Sequence, residues 1–230
     1  KDLYTNLSLN FSYDDLRTNS NASASLQKQD GDFTELAAVY GLTYDKRNRT
    51  FMPTDGSVFG FVQSLPIYAD KPFIDNTFRF STYHEFNENY VGSGKIFLSA
   101  INGLNDEDVR LSKRKTLSTR RLRGFSKGKI GPVDGNDHIG GNYAAAVNFD
   151  VNLPNLLPDS SNTDVSFFVD FGNVWEVDYD DSLDDSNKLR SSTGVNASWI
   201  SPLGPMTFTL ATNLSKASTD TTESFNFNLG

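Results

Sequence analysis

The feature that most constrains this chain is a two-residue repeat of apolar and small polar side chains, held for longer than a globular strand requires. Leu3, Thr5, Leu7, Leu9, Phe11 and Tyr13 alternate with Tyr4, Asn6, Ser8, Asn10 and Ser12. Successive side chains of a strand point to opposite faces, so the segment reads as a strand with one apolar face. Tyr143, Ala145, Val147, Phe149, Val151 and Leu153 repeat the pattern against Asn142, Ala144, Ala146, Asn148, Asp150 and Asn152. Near the C-terminus Met206, Phe208 and Leu210 face away from Thr207, Thr209 and Ala211, and Phe225, Phe227 and Leu229 face away from Asn226 and Asn228. A soluble sandwich would coat its outer face with Lys and Glu. Here the polar face carries Asn, Ser, Thr and Ala, which suits a narrow wet lumen.

Composition supports the same reading. Only 37% of the 230 residues are hydrophobic, yet 13% are aromatic and 18 are Phe, so apolar surface comes in large units spread thinly. Mean hydropathy is −0.45. No run approaches the roughly 18 apolar residues of a spanning helix, so a membrane could be crossed only by strands closed into a barrel. The expected fold class is therefore all-β, an antiparallel transmembrane β-barrel of outer-membrane type. A net charge of −8 argues against nucleic acid as a partner. With zero cysteines there is no disulfide or thiolate chemistry. No basic segment followed by an apolar one opens the chain at Lys1, and the strand pattern begins at once at Leu3, which leads us to expect a start inside a longer protein.

Alternation predicts about ten strands, at 3–13, 33–46, 56–68, 75–87, 93–103, 140–153, 163–175, 189–200, 205–214 and 222–230. Each is near the roughly 9–11 residues that a tilted strand needs to cross a bilayer. Connections are expected to alternate in length, with short turns at Asn87 to Gly92 and at Ser201-Pro202-Leu203-Gly204-Pro205, and long loops at 14–32, 104–139 and 176–188. The 154–162 turn is longer than that rule prefers. Short turns assigned to the periplasm place loops 104–139 and 176–188 outside the cell.

Loop 104–139 is the anomaly, read as a long structureless connection and hence a functional one. It carries Lys113, Arg114, Lys115, Arg120, Arg121, Arg123, Lys127 and Lys129 in an otherwise acidic chain. Something anionic should receive it, and alternation points Asp150 and Asp170 into the lumen. Within Leu122-Arg123-Gly124-Phe125, Arg123 offers a planar fork for a carboxylate, Gly124 permits a tight turn and Phe125 supplies an apolar anchor.

The ordered set of motifs resembles the barrel of outer-membrane assembly proteins of the BamA family, also called the bacterial surface antigen family. It comprises Tyr44-Asp45-Lys46-Arg47 leading to Pro53-Thr54-Asp55-Gly56, then Leu122-Arg123-Gly124-Phe125, Ile130-Gly131-Pro132 and Gly140-Gly141-Asn142. It continues with Phe168-Val169-Asp170-Phe171-Gly172-Asn173-Val174-Trp175, Ser201-Pro202-Leu203-Gly204-Pro205 and Phe225-Asn226-Phe227-Asn228-Leu229-Gly230. The resemblance implies that Arg123 folds into the lumen and pairs with Asp170, with Asp150 as a second acid. It marks Gly140, Gly141, Gly172, Pro202 and Gly204 as motif turns. It makes residues 222–230, with Phe225, Phe227 and Gly230, the movable side of a lateral gate. It further implies an insertase in the outer membrane of a Gram-negative bacterium, with unfolded outer-membrane protein clients, outer-membrane lipids, assembly-complex lipoproteins and POTRA repeats as partners. Two departures are expected to mark residues 1–230 as the C-terminal portion of such a barrel: POTRA repeats and the family's first strands do not precede it, and Gly230 stands where the family continues to a terminal aromatic.

Other classes have less support. A two-partner secretion translocator and a passive porin remain as alternatives. No cofactor or metal is implied, and no enzyme is expected: His84 and His138 form no His-x-x-x-His pair, and no Ser-His-Asp motif is present. Asp178, Asp180, Asp181, Asp184 and Asp185 suggest calcium, but Leu183 and Leu189 stand where an EF-hand needs Gly and Glu, so a solvated acidic loop is expected. Gly92-Ser93-Gly94 reads as a turn, and Asn6-Leu7-Ser8 follows from polar alternation.

Overall fold

The structure, a computed structural model, describes residues 2–154, 156–158, 163–178, 183, 188–201 and 204–229. Ten strands form one antiparallel sheet in the order β1-β2-β3-β4-β5-β8-β9-β10-β11-β12. They are β1 (Leu3–Leu16), β2 (Gly31–Asp45), β3 (Gly56–Ala69), β4 (Phe73–Asn87), β5 (Tyr90–Gly103), β8 (Tyr143–Leu153), β9 (Thr163–Trp175), β10 (Arg190–Ser201), β11 (Gly204–Ser215) and β12 (Phe225–Leu229). A two-stranded ribbon, β6 (Val133–Asp134) with β7 (Asp137–His138), lies inside the connection from β5 to β8. Among the described residues β1 pairs only with β2 and β12 only with β11, so the sheet is open. Within those residues no helix is long and apolar enough to cross a membrane.

The two faces are those of a barrel wall. Along β8, Ala144, Ala146, Asn148 and Asp150 are buried, while Phe149 (54% exposed) and Val151 point outward. Phe11 and Phe227 are likewise exposed on the outward face rather than gathered in a core. What is buried lies between the concave face and the long loop. Leu117, Leu122, Phe125 and Ile130 of the loop cluster with Phe97, Ala144, Ala146 and Val174 of the wall. A second cluster joins Val109 to Phe73 and Ile101. Loop and wall thus form the core that a sandwich would build from two sheets.

Several expectations need correction. The loop is not structureless: it holds a 3-10 turn at Leu111–Lys113 and the β6–β7 ribbon. Strand β8 starts at Tyr143 rather than 140, because the backbone of Gly141 pairs with Lys115 of the loop in both directions, at 2.7 and 3.0 Å. Strand β12 starts at Phe225 rather than 222, because Thr222 bridges to Phe125 instead of to β11. Loop lengths do not alternate strictly. The 70–72 connection lies at the long-loop end yet is short, closed by Asp70, whose carboxylate accepts the Thr34 N–H at 2.7 Å. β1 extends beyond the predicted 3–13 to Leu16, and β2 runs from Gly31 to Asp45 rather than over 33–46.

Candidate functional site

The site is the line along which loop 104–139 crosses the concave wall. At its first crossing Arg110, 1% exposed, donates to Glu35 at 2.9 Å and Asp14 at 3.2 Å and lies over the Phe33 ring. Lys113 joins the same acid, Glu35, at 2.9 Å. Arg114 reaches across to Asp178, just beyond β9, at 2.5 Å, and also donates to the Val109 carbonyl and the Asn142 side chain. Lys115 pairs with Asp75 of β4 at 2.5 Å. The cations of the strap therefore meet carboxylates offered by separate strands.

The second crossing is the Arg123 fork. Its Nε and Nη2 grip Asp170 at 2.8 and 2.6 Å, and its Nη1 donates to Asp150 at 2.7 Å. The Arg123 backbone N–H adds a bond to Asp170 at 3.0 Å, and the guanidinium lies 3.7 Å from the centroid of Phe168. Both acids have further partners: Asn148 Nδ2 donates to Asp170 at 2.7 Å, and Lys95 to Asp150 at 3.0 Å. Bidentate grip on one carboxylate plus a third bond to another fixes the plane of the fork, which a lysine could not do. Burial acts to lower the Arg123 pKa, but Asp170 and Asp150 outweigh it and hold it above its ordinary value.

The neighbours in the motif set the fork's height. Gly124 has φ of +86°, a left-handed conformation that other side chains rarely adopt, and a Cβ there would meet Ala211 and Asn213 at 3.1 Å. Its carbonyl accepts from Asn213 Nδ2 at 2.8 Å, while Ser192 Oγ donates to the Arg123 carbonyl at 2.5 Å. Phe125 is buried in the loop cluster. Gly172, expected at a turn, instead lies inside β9, where its missing side chain leaves the seat for Leu117 and Leu122, whose methyl carbons would lie 2.9 and 3.4 Å from a Cβ at that position. Gly140 and Gly141 lie where the loop rejoins the wall, against Lys115 and Trp175, and Gly204 opens β11. Pro202 and Gly230 lie outside the described residues, as do Asp180, Asp181, Asp184 and Asp185.

The loop also carries the chain that leads into β12. Ser126 N–H donates to the Thr221 carbonyl at 3.0 Å, Thr221 N–H to the Lys129 carbonyl at 3.0 Å, and Glu223 N–H to the Gly124 carbonyl at 3.0 Å. Asp220 is held by a fully buried, two-pronged pair with Arg190 at 2.8 and 3.0 Å. Phe225 and Phe227 point outward, Phe227 packing against Phe208 with ring centroids 5.1 Å apart.

Sequence reasoning missed Arg110, Glu35, Asp75, Lys95, Asn148, Arg190 and Asp220. A signal existed for four of them. Alternation in β2, β4, β5 and β8 puts Glu35, Asp75, Lys95 and Asn148 on the lumen face, as it does Asp150 and Asp170. Arg121 lies 3.2 Å from the centroid of Phe97, and burial together with the nearby Arg79 charge pushes its pKa down to about 10. His138 Nε2 lies 3.0 Å from the Thr219 carbonyl and His84 near Asp55. Among the described residues no group of acids and histidines could hold a metal ion.

The model of the Omp85 superfamily domain matches residues 1–230. The outer membrane protein assembly factor BamA of Neorickettsia risticii is 27% identical over 99% of this chain and 31% of its own length. A SAM50-like protein of Schizosaccharomyces pombe is 30% identical over 61% of this chain and 31% of its own length. The chain thus spans about a third of the length of these curated relatives. The crystal structure of BamA from Haemophilus ducreyi lacking POTRA domains 1–3 superposes with a TM-score of 0.87 at 24% identity, covering 98% of this chain and 50% of that one.

Proposed function

Because the chain belongs to the Omp85 superfamily and is a BamA-like outer-membrane barrel, we propose that the protein containing it is an assembly factor that folds and inserts β-barrel proteins into the outer membrane of a Gram-negative bacterium. Residues 1–230 would be the C-terminal portion of its barrel, working with POTRA repeats, accessory lipoproteins and unfolded barrel clients, and without covalent catalysis or a cofactor.

The observation that carries this reading is the division of the last strand. The chain from Asp220 to Glu223 is bonded to the lumen loop and to Arg190, whereas Phe225–Leu229 bonds to β11 alone. An unpaired strand edge in lipid leaves donors and acceptors that cost several kcal/mol each. A client strand added to that edge satisfies them, which is β-augmentation at membrane depth. The strap keeps the root of the gate strand in place while its lower half exchanges partners.

The complete protein, reconstituted in phospholipid vesicles, should accelerate the folding of an added unfolded barrel protein, read as heat-resistant, protease-protected product. No acceleration, together with steady ion conductance that survives mutation of the loop, would replace this reading with that of a passive pore.

A further inference from the structure

The cations of the strap are not all used in the same way. Arg110, Lys113, Arg114, Lys115 and Arg123 each meet a carboxylate of the wall or its rim. Arg121, at the tip of the loop, has no side-chain hydrogen bond or ion pair among the described residues. Its seat nevertheless repeats that of Arg123. The Arg121 guanidinium lies 3.2 Å from the centroid of Phe97, as that of Arg123 lies 3.7 Å from Phe168. Stacking occupies the face of a guanidinium and leaves the N–H fork in its plane free to take an oxyanion. For Arg123 that oxyanion comes from Asp170 and Asp150. The backbone of Arg121 is fixed as well: its N–H donates to the Ser118 carbonyl at 2.9 Å, and its carbonyl accepts from Asn148 Nδ2 at 2.9 Å.

Where the wall gives Arg123 two acids, it gives Arg121 a second guanidinium. Arg79 of β4 stands directly opposite Phe97 of β5. Directly opposed residues of antiparallel strands share a face, and Phe97 belongs to the cluster buried between loop and wall, so Arg79 is on the lumen face too. Arg79 is exposed and has no hydrogen bond or ion pair among the described residues. Its charge reaches Arg121, whose pKa it lowers together with burial. On the other side of Arg79 the row continues to Gly60 of β3. The φ of Gly60 is not positive, so its backbone does not demand glycine, and a Cβ there would meet nothing within 4 Å. At Gly172, in the same row, Leu117 and Leu122 take up the space that the missing side chain leaves, whereas beside Arg79 it stays open. Two like charges held near each other repel, and an oxyanion between them turns that repulsion into attraction.

We propose that Arg79 and Arg121 form a seat for a carboxylate carried on a polypeptide in the lumen, with the chain that bears it passing over Gly60. The seat rests on the reading of the protein as an assembly factor, since unfolded clients are the polypeptides that would reach the lumen. Asp170 and Asp150 show which planar acceptor such a stacked guanidinium suits, and an acidic residue of a client brings the same group on another chain.

The test uses the complete protein in detergent micelles with a thiol placed in the bay by Gly60→Cys; residues 1–230 hold no other cysteine. A neutral methanethiosulfonate labels that thiol at a measured rate. A short peptide blocked at both ends and carrying one Glu, at about 10 mM and constant ionic strength, should slow labelling about threefold or more, the effect of a ligand at twice its dissociation constant. Its Gln twin should not slow labelling, and inorganic phosphate at the same concentration should slow it less than the Glu peptide does. Arg79→Gln and Arg121→Gln should each abolish the protection. Should Gly60→Cys fail to fold, Thr43→Cys, next in the row, carries the same measurement. No slowing by the Glu peptide, equal slowing by its Gln twin, protection that survives either arginine substitution, or phosphate acting as strongly as the peptide would overturn the assignment. Binding is read here without any folding step, so a negative result strikes the seat alone and leaves the assembly reading to the vesicle assay.

Discussion

Replacing Arg123 by Ala tests what the fork contributes. Breaking a fully buried ion pair by removing one partner costs about 3–5 kcal/mol, because the survivor is stranded. Neither acid is stranded here. Asp170 keeps the backbone N–H of residue 123 and Asn148, and Asp150 keeps Lys95. The loss is therefore nearer to that of hydrogen bonds to a charged group, about 2–3 kcal/mol. At 1.4 kcal/mol per decade this raises the opening equilibrium of the loop by roughly 30- to 150-fold. Hydrogen exchange on the complete protein reads it at the Ser126, Thr221 and Glu223 amides, which exist as bonded groups only while loop and β12 root are joined. Strand amides of β8 and β9 should keep their protection, and Arg123→Lys should fall between, since an ammonium keeps the charge without the fork. Exchange within threefold of wild type at all three amides would refute the reasoning, and so would a loss of protection in β8 and β9 as large as that in the loop.

Gly172→Val should push Leu117 and Leu122 off their seat and expose residues 117–131 to protease while strand content by circular dichroism is unchanged. Asp220→Asn removes the carboxylate that Arg190 grips with two prongs and should cost about 2 kcal/mol at the β11–β12 turn, read as faster exchange of Thr221 with β8 and β9 unaffected. The pH response of the first crossing follows from two carboxyls outside the spanning strands. Burial pushes Asp178 up, but the Val109 N–H, Asn142 and Arg114 outweigh it and hold it below the ordinary carboxylate range, so its stabilisation is complete above that range and disappears as pH falls through the depressed value. Burial and the Asp178 charge hold Asp108 above that range, so it takes its proton first and relieves a repulsion. Protection of the Val109 amide, which donates to Asp178 at 2.9 Å, should hold or rise slightly as pH falls to the ordinary carboxylate range and collapse only below that range, after correction for intrinsic exchange. A steady decline from pH 7 would contradict this.

How much was legible in the sequence depended on whether a contact is local to one strand or set by register. Period two alone places Asp150 and Asp170 on the inner face and Phe149 and Phe167 on the outer, because neither assignment needs a neighbour. The pairing of Arg123 with Asp170 came from the resemblance to a known family; spacing carries no trace of two groups 47 positions apart. Arg110 with Glu35 is the converse case: Glu35 stands on a predictable face, yet its meeting with Arg110 depends on where the loop first crosses β2. The start of β8 was misplaced because Gly140-Gly141-Asn142 prolongs the alternation, although the backbone there is already committed to Lys115. The shortened β12 has the same origin. Residues 222 and 223 continue a strand pattern whose hydrogen bonds the loop has taken, while the Ser224 carbonyl still accepts from the Ala211 N–H of β11.

The strap's two kinds of contact do different work, and magnitudes separate them. Leu117, Leu122, Phe125 and Ile130 are all buried against the wall, and burying four such side chains at about 1.5–3 kcal/mol each supplies roughly 6–12 kcal/mol before ordering costs. The ionic contacts are buried, so their attraction is offset by the desolvation of both charges and each contributes less. They do, however, specify position, since a leucine accepts any apolar seat and a fork accepts one plane. An acidic wall that receives a basic strap at Glu35, Asp75, Asp150 and Asp170 can therefore hold the loop in one register without making its attachment irreversible. The root of β12 is bonded to that same loop, so its position is set by the register the charges choose and its hold by the apolar seat beneath them.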